Sequence, residues 1–137
     1  MNGLPRFFAG YFGALVVLLA LDAVWITLTG PTLYRPALHA VLASGFRPVP
    51  AVLFYLTYAA GVTGLASLPG RGAGRWTGAA WRGALLGLVA YATYDLTNQA
   101  TLAVWSRQVT ALDLIWGVFL TACAATAGYA ASGLIRR

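Results

Sequence analysis

The side chains with chemistry to offer in this chain are few, and they stand in apolar surroundings. Its only carboxylates are Asp22, Asp95 and Asp113, and each falls in a stretch apolar enough to cross a bilayer. An ionised aspartate at the middle of a membrane costs about 2.5–3.5 kcal/mol on insertion scales, so it is expected to face a cavity or a partner. Asp22 and Asp113 occupy matching runs, Leu21-Asp22-Ala23-Val24-Trp25 and Leu112-Asp113-Leu114-Ile115-Trp116. In each run Asp and Trp are three apart and share a helix face. Asp95 belongs to a denser group. Tyr91, Asp95, Asn98 and Gln99 recur at i, i+4, i+7 and i+8, one polar stripe on a helix, with Tyr94 beside it. Such a stripe is expected to face the interior of a helical bundle.

Carboxylates placed in this way can bind a polar or cationic group, or carry a proton if burial and a second carboxylate make their protonation adjustable. They can also act as acid or base on a lipophilic substrate, with Tyr34 or His39 at the mouth of the pocket. Nothing in the sequence selects the second use. There is no nucleophile motif, no H-E-x-x-H and no glycine-rich phosphate loop. One cysteine, Cys123, and one histidine, His39, exclude a thiolate cluster and an all-histidine metal site within one copy. The absence of lysine excludes a Schiff base. No metal and no cofactor are expected.

Each candidate also has a structural reading. Thr110-x-x-Asp113 before an apolar run resembles a capping box, and an acid in a first turn is favoured by the helix dipole. Asp22 can pair with Arg35 or Arg107 as interhelical glue. A lone His39 is at home in the interface. The capping reading leaves Asp22, Asp95 and Asn98 as the core of the site. Tyr91, Trp25, Asp113, Trp116, Tyr34 and His39 surround them.

The elements that carry these residues follow from composition. Of 137 residues, 60% are hydrophobic and 9% charged, against roughly 25% charged in a soluble domain. Four stretches reach the roughly 20 apolar residues of a span: residues 7–28, 49–68, 84–105 and 110–135. The expectation is one all-α integral membrane domain over residues 1–137, a four-transmembrane-helix bundle. The first stretch is longer than a signal-peptide core and is read as a retained helix. Between the first and second spans, LYRPALHAVLASGF predicts a short interfacial or re-entrant helix. Pro69–Arg82 is read as a glycine-rich basic loop with Trp76 and Trp81 at headgroup level, and Ser106–Val109 as a tight turn.

Nine arginines set the net charge of +6. They form no basic stripe with interleaved aromatics, which excludes nucleic acid and favours membrane lipids as partner. Arg6, Arg71, Arg75, Arg82, Arg136 and Arg137 fall on one side of a four-span chain, and Arg35, Arg47 and Arg107 on the other. That bias predicts both termini in the cytoplasm. At about 1.5 Å per residue, Asp22, Asp95 and Asn98 then lie in the middle or outer half of the bilayer, and one pocket open to the outer face is expected. Small residues four apart supply packing surfaces: Gly83 and Gly87, Ala60 and Gly64, Gly117 with Thr121 and Ala125, and Ala124 with Gly128 and Ser132. Packing within one bundle is favoured over a homodimer seam.

The runs YATYDLTNQATL and LDLIWGVFLTACAA, with LDAVWITLTGPTLYRPAL and FYLTYAAG, resemble a family of small bacterial membrane proteins, domain of unknown function twenty-one seventy-seven. The resemblance spans nearly the whole chain. It implies a four-span protein of the bacterial inner membrane and no activity, substrate or cofactor. Three functions are therefore weighed. The first is binding or transport of a small molecule or proton by the intramembrane aspartates. The second is an accessory subunit of a larger membrane complex, or a homo-oligomer. The third is a membrane enzyme acting on a lipid.

Overall fold

The computed structural model describes residues 3–135; Arg136 and Arg137, two of the nine arginines, lie outside them. Among the described residues all regular structure is helical. Four long helices account for it: α1 Gly3–Leu38, α2 Pro48–Gly72, α3 Trp76–Thr101 and α4 Arg107–Gly133.

Helices α1, α2 and α4 are each long and apolar enough to cross a membrane. Helix α3 matches them in length, with 26 residues, but the polar stripe from Tyr91 to Gln99 makes it less apolar. The side-chain distribution inverts that of a soluble protein. Large apolar residues such as Phe8, Phe12, Val16, Leu85 and Val89 point outward, while the buried positions go mostly to Gly, Ala, Ser and Thr.

Two helices contain a wide π turn, at Gly30–Tyr34 in α1 and Thr63–Ser67 in α2. Prolines explain the placement of the first. Pro31 and Pro36 donate no N–H, and a proline ring crowds the carbonyl four residues before it. The looser turn relieves that crowding, and the Arg35 N–H reaches Gly30 O instead. The Thr27, Thr29 and Thr32 hydroxyls donate to the carbonyls of Ala23, Trp25 and Leu28 through the same stretch. The segment expected to form a short separate helix between the first two spans is therefore a continuation of α1, helical only to Leu38. His39–Arg47 make the turns to α2.

The basic loop expected over Pro69–Arg82 shrinks to residues 73–75, with Gly74 at φ 72°. The glycines there serve close approach rather than a loop: a Cβ on Gly70 would meet the Ala79 Cα at 2.6 Å. Helix α3 also ends earlier than expected, at Thr101. The apolar Leu102–Trp105 run reads as helix by composition but starts extended, at φ −94° and ψ 138° for Leu102. Trp105 folds back so that its Nε1 donates to Thr110 Oγ1 at 3.0 Å. The tight turn expected at Ser106–Val109 is instead the start of α4, capped by Ser106, whose side chain accepts from the Val109 N–H at 3.3 Å.

Helix α4 is the axis of the assembly. One of its faces, Gly117-Thr121-Ala125, takes Gly87 and Gly83 of α3. A Cβ on Gly87 would collide with the Gly117 carbonyl, and one on Gly83 would meet Ala125 Cβ and Thr121 O at 2.6 Å. Its other face, Ala124-Gly128-Ser132, takes Gly10 of α1 and Ser67 of α2. Ser67 Oγ donates to Ala125 O at 2.9 Å. Ala60 and Gly64 supply no comparable seam, since a Cβ on Gly64 meets nothing within 4 Å.

Replacing Gly87 with Ala is expected to destabilise the protein by about 1–3 kcal/mol through overpacking. Gly61→Ala, whose added Cβ meets nothing within 4 Å, is expected to leave stability unchanged or slightly higher. Thermal unfolding of the two variants in one detergent checks this, and equal midpoints would mean that α3 and α4 can part without cost.

Candidate functional site

Asp22 reaches the centre of the cluster from α1, where it is 7% exposed. Its carboxylate takes one hydrogen bond from each of two neighbouring helices. The Tyr55 hydroxyl of α2 donates to Oδ2, and Trp116 Nε1 of α4 donates to Oδ1 at 3.1 Å. Its partners are thus a phenol and an indole rather than Arg35 or Arg107.

Trp25, three residues on and on the same face, stacks on Trp116 with ring centroids 4.5 Å apart and planes 6° from parallel. Its Nε1 donates to the Tyr34 hydroxyl at 2.9 Å, and that hydroxyl donates to Asp113 Oδ1. In a regular helix, nine residues at about 3.6 per turn would put Tyr34 on the face opposite Trp25. The π turn holds an extra residue and rotates Tyr34 back toward it. The prolines that force the turn therefore also aim the tyrosine.

Asp113 is not a capping residue. Ser106 caps α4, and Asp113 lies well inside the helix, 7% exposed. It faces Asp95 of α3, and the two carboxyl groups lie within hydrogen-bonding reach of one another. Asp95 is fully buried, at 0% exposure, and neither of its oxygens has a hydrogen-bond donor. Tyr91, one turn before Asp95, lays its ring against Gly117. Its hydroxyl is within electrostatic reach of Asp22 and Asp113.

The three carboxylates thus belong to one network. It runs Tyr55–Asp22–Trp116, across the indole stack to Trp25, then through Tyr34 to Asp113 and Asp95. The hydrogen bonds to Asp22 and the Tyr34 bond to Asp113 all come from neutral phenols or indoles. A cleft of about 630 Å³, lined by Asp22, Trp25, Tyr34, Tyr55, Tyr91 and Trp116 among others, opens beside the network. A second hollow of about 430 Å³ shares Tyr91 and is lined by Tyr58, Tyr94 and Asp113.

The remaining candidates fall elsewhere. Asn98 is half-buried one turn beyond Asp95 and Gln99 is exposed, so the stripe only partly faces the interior. His39 is exposed, its Nδ1 3.3 Å from Pro36 O, in a separate surface groove with Arg35 and Arg47. Tyr55 and Tyr58 were not among the candidates. Their signal was the FYLTY run, two hydroxyl donors three apart on an otherwise apolar helix, and Tyr58 pairs with Thr121 Oγ1 at 2.7 Å.

The family described as predicted membrane protein (DUF2177) matches residues 7–130, the same family that the sequence runs resemble. No curated protein and no solved structure matches the chain.

Tyr55→Phe removes one of the two donors to Asp22 and is expected to cost about 1–3 kcal/mol, the penalty of leaving a buried acceptor short. Tyr11→Phe, whose hydroxyl makes only an exposed bond of 3.3 Å to Leu56 O, is expected to cost much less. Chemical unfolding in mixed micelles compares the two. Equal losses would remove Tyr55 from the network.

Proposed function

We propose that this chain, which belongs to the DUF2177 family of predicted membrane proteins, binds small organic cations in the cleft beside Asp22 and passes them across the membrane. The observation that carries this reading is the chemistry of the cleft wall. A carboxylate compensated only by neutral donors stands among the rings of Trp25, Trp116, Tyr34 and Tyr91. Aromatic faces attract a cation by about 0.5–2 kcal/mol each, more when water is excluded, and the carboxylate adds its charge. A weakly hydrated organic cation gains from both and loses little solvation on entry. An anion would meet the Asp22 carboxylate with no arginine in the lining.

The same reading makes the protein a four-span chain of the bacterial inner membrane with cytoplasmic termini. Helix α3 turns Asp95 toward α4 and exposes Leu85, Leu88, Val89 and Leu96, so its outer surface suits lipid although its average composition does not. The arginines support the orientation. Arg6 Nε donates to Ile135 O at 3.2 Å, and Arg71 Nη1 donates to Tyr129 O at 3.0 Å. Both therefore stand at the end of the bundle where α4 finishes. Arg35, Arg47 and Arg107 stand at the other end, nearer the carboxylates. The site then opens toward the outer half of the bilayer.

Tetraphenylphosphonium is a suitable probe. Its equilibrium binding to the purified protein is expected to weaken at least about tenfold, about 1.4 kcal/mol, in Asp22→Asn, and to be unaffected in His39→Ala. Equal binding by wild type and Asp22→Asn would sink the reading. A reporter inserted at Gly74 is expected to signal from the cytoplasm; an extracytoplasmic signal would reverse the orientation.

A further inference from the structure

We propose that Asp95 and Asp113 hold a single proton between them, and that this proton is released when a cation occupies the neighbouring cleft, so that the protein exchanges protons for cations. The cation half rests on the function proposed above; the shared proton does not.

The starting point is Asp95, fully buried and without a donor to either oxygen. Burying an ionised carboxylate is costly even after relaxation, and an uncompensated one has nothing to offset that cost. The group beside it is a second carboxyl, Asp113. Two ionised carboxylates in contact would repel, whereas one protonated and one ionised form a charge-assisted O–H···O⁻ bond, among the strongest available to side chains.

The geometry also says where the proton resides. Asp113 already accepts from the Tyr34 hydroxyl, which marks it as the ionised partner. Asp95 has no donor and is therefore the acid: its O–H donates to Asp113, which then takes two hydrogen bonds, and no ionised oxygen is left bare. The buried orphan and the second carboxylate explain each other.

The pair is next to the cleft rather than in a sealed core. Asp113 lines the hollow that shares Tyr91 with the Asp22 cleft. Its donor Tyr34 is also part of the cleft wall and takes a hydrogen bond from Trp25. The titratable groups facing the pair are Asp22 and Tyr34 of α1, Tyr58 of α2, and Tyr91 and Tyr94 of α3. All of them are acids, so the positive charge that reaches this site comes from outside the chain. A cation among these groups stabilises a further negative charge and lets the proton leave. One monovalent cation enters, one proton departs, and the net charge of the site is unchanged.

Infrared spectroscopy reads the proton directly. Wild-type protein at neutral pH is expected to show a carboxylic-acid carbonyl band that persists in Asp22→Asn and disappears in Asp95→Asn. In Asp113→Asn the band is expected to remain but shift, because the acid then donates to an amide instead of a carboxylate. Absence of the band in wild type, or its survival in Asp95→Asn, would overturn the shared proton. An unshifted band in Asp113→Asn would overturn it too, even if Asp95→Asn fails to fold. An indicator dye in weakly buffered solution reads the exchange: about one proton per bound tetraphenylphosphonium is expected in wild type. Binding without release overturns the exchange. A normal band with no binding at all overturns the cation reading while upholding the proton pair.

Discussion

Backbone contact between α3 and α4 is the constraint on which the rest of the molecule depends. Gly87 meets the Gly117 carbonyl so closely that α3 has no room for a methyl group there, and the Tyr91 ring leaves none on Gly117. In lipid there is no hydrophobic force to press helices together, so close packing between small residues has to supply the association. From that contact the register of the two helices follows. One turn along α3, the Tyr91 ring lies on Gly117; a further turn along, Asp95 meets Asp113. The carboxyl pair is therefore a consequence of glycines one to two turns away, and the polar chemistry is positioned by residues that have no polar side chain.

The second constraint is electrostatic. Three carboxylates lie together, and two of them, Asp22 and Asp113, take their hydrogen bonds from tyrosine hydroxyls and an indole. Neutral donors satisfy oxygen lone pairs without cancelling charge. An arginine in the network would have fixed the carboxylates permanently as ion pairs. Phenols and indoles leave the charge uncancelled, and their rings line the cleft beside Asp22.

Much of the frame was legible in the sequence, because apolar length and small-residue spacing are local properties. The helices α1, α2 and α4, the small-residue faces of Gly83 with Gly87 and of Gly117 with Thr121 and Ala125, and the placing of all three carboxylates inside the bundle could be read that way. What failed depended on tertiary context. Thr110-x-x-Asp113 has the letters of a capping box, but Ser106 starts the helix four residues earlier and sends Asp113 inward. The glycines of Pro69–Arg82 suggested a loop because glycine breaks isolated helices; here they admit a neighbouring helix. Asn98 shared a face with Asp95 by spacing, yet helix rotation leaves it only half-buried. Tyr55 stands out in the FYLTY run, but spacing alone does not assign it to the site, because its acceptor is 33 residues away on another helix.

The two Leu-Asp-x-x-Trp runs acquire a physical meaning from the helix directions. Helices α1 and α4 run antiparallel, since the start of one and the end of the other are joined by the Arg6–Ile135 hydrogen bond. Two Asp-x-x-Trp faces set against each other in that sense place Asp22 level with Trp116 and Trp25 level with Asp113. The first pairing is direct, at 3.1 Å. The second is not, because Tyr34 is interposed and its hydroxyl accepts a hydrogen bond from Trp25 Nε1 while donating one to Asp113. That one insertion, made possible by the π turn at Gly30–Tyr34, breaks an otherwise matched arrangement. It leaves Asp22 open to the cleft and Asp113 turned toward Asp95, so two carboxylates from the same local pattern come to hold different positions: one lining the cleft, the other against a second buried acid.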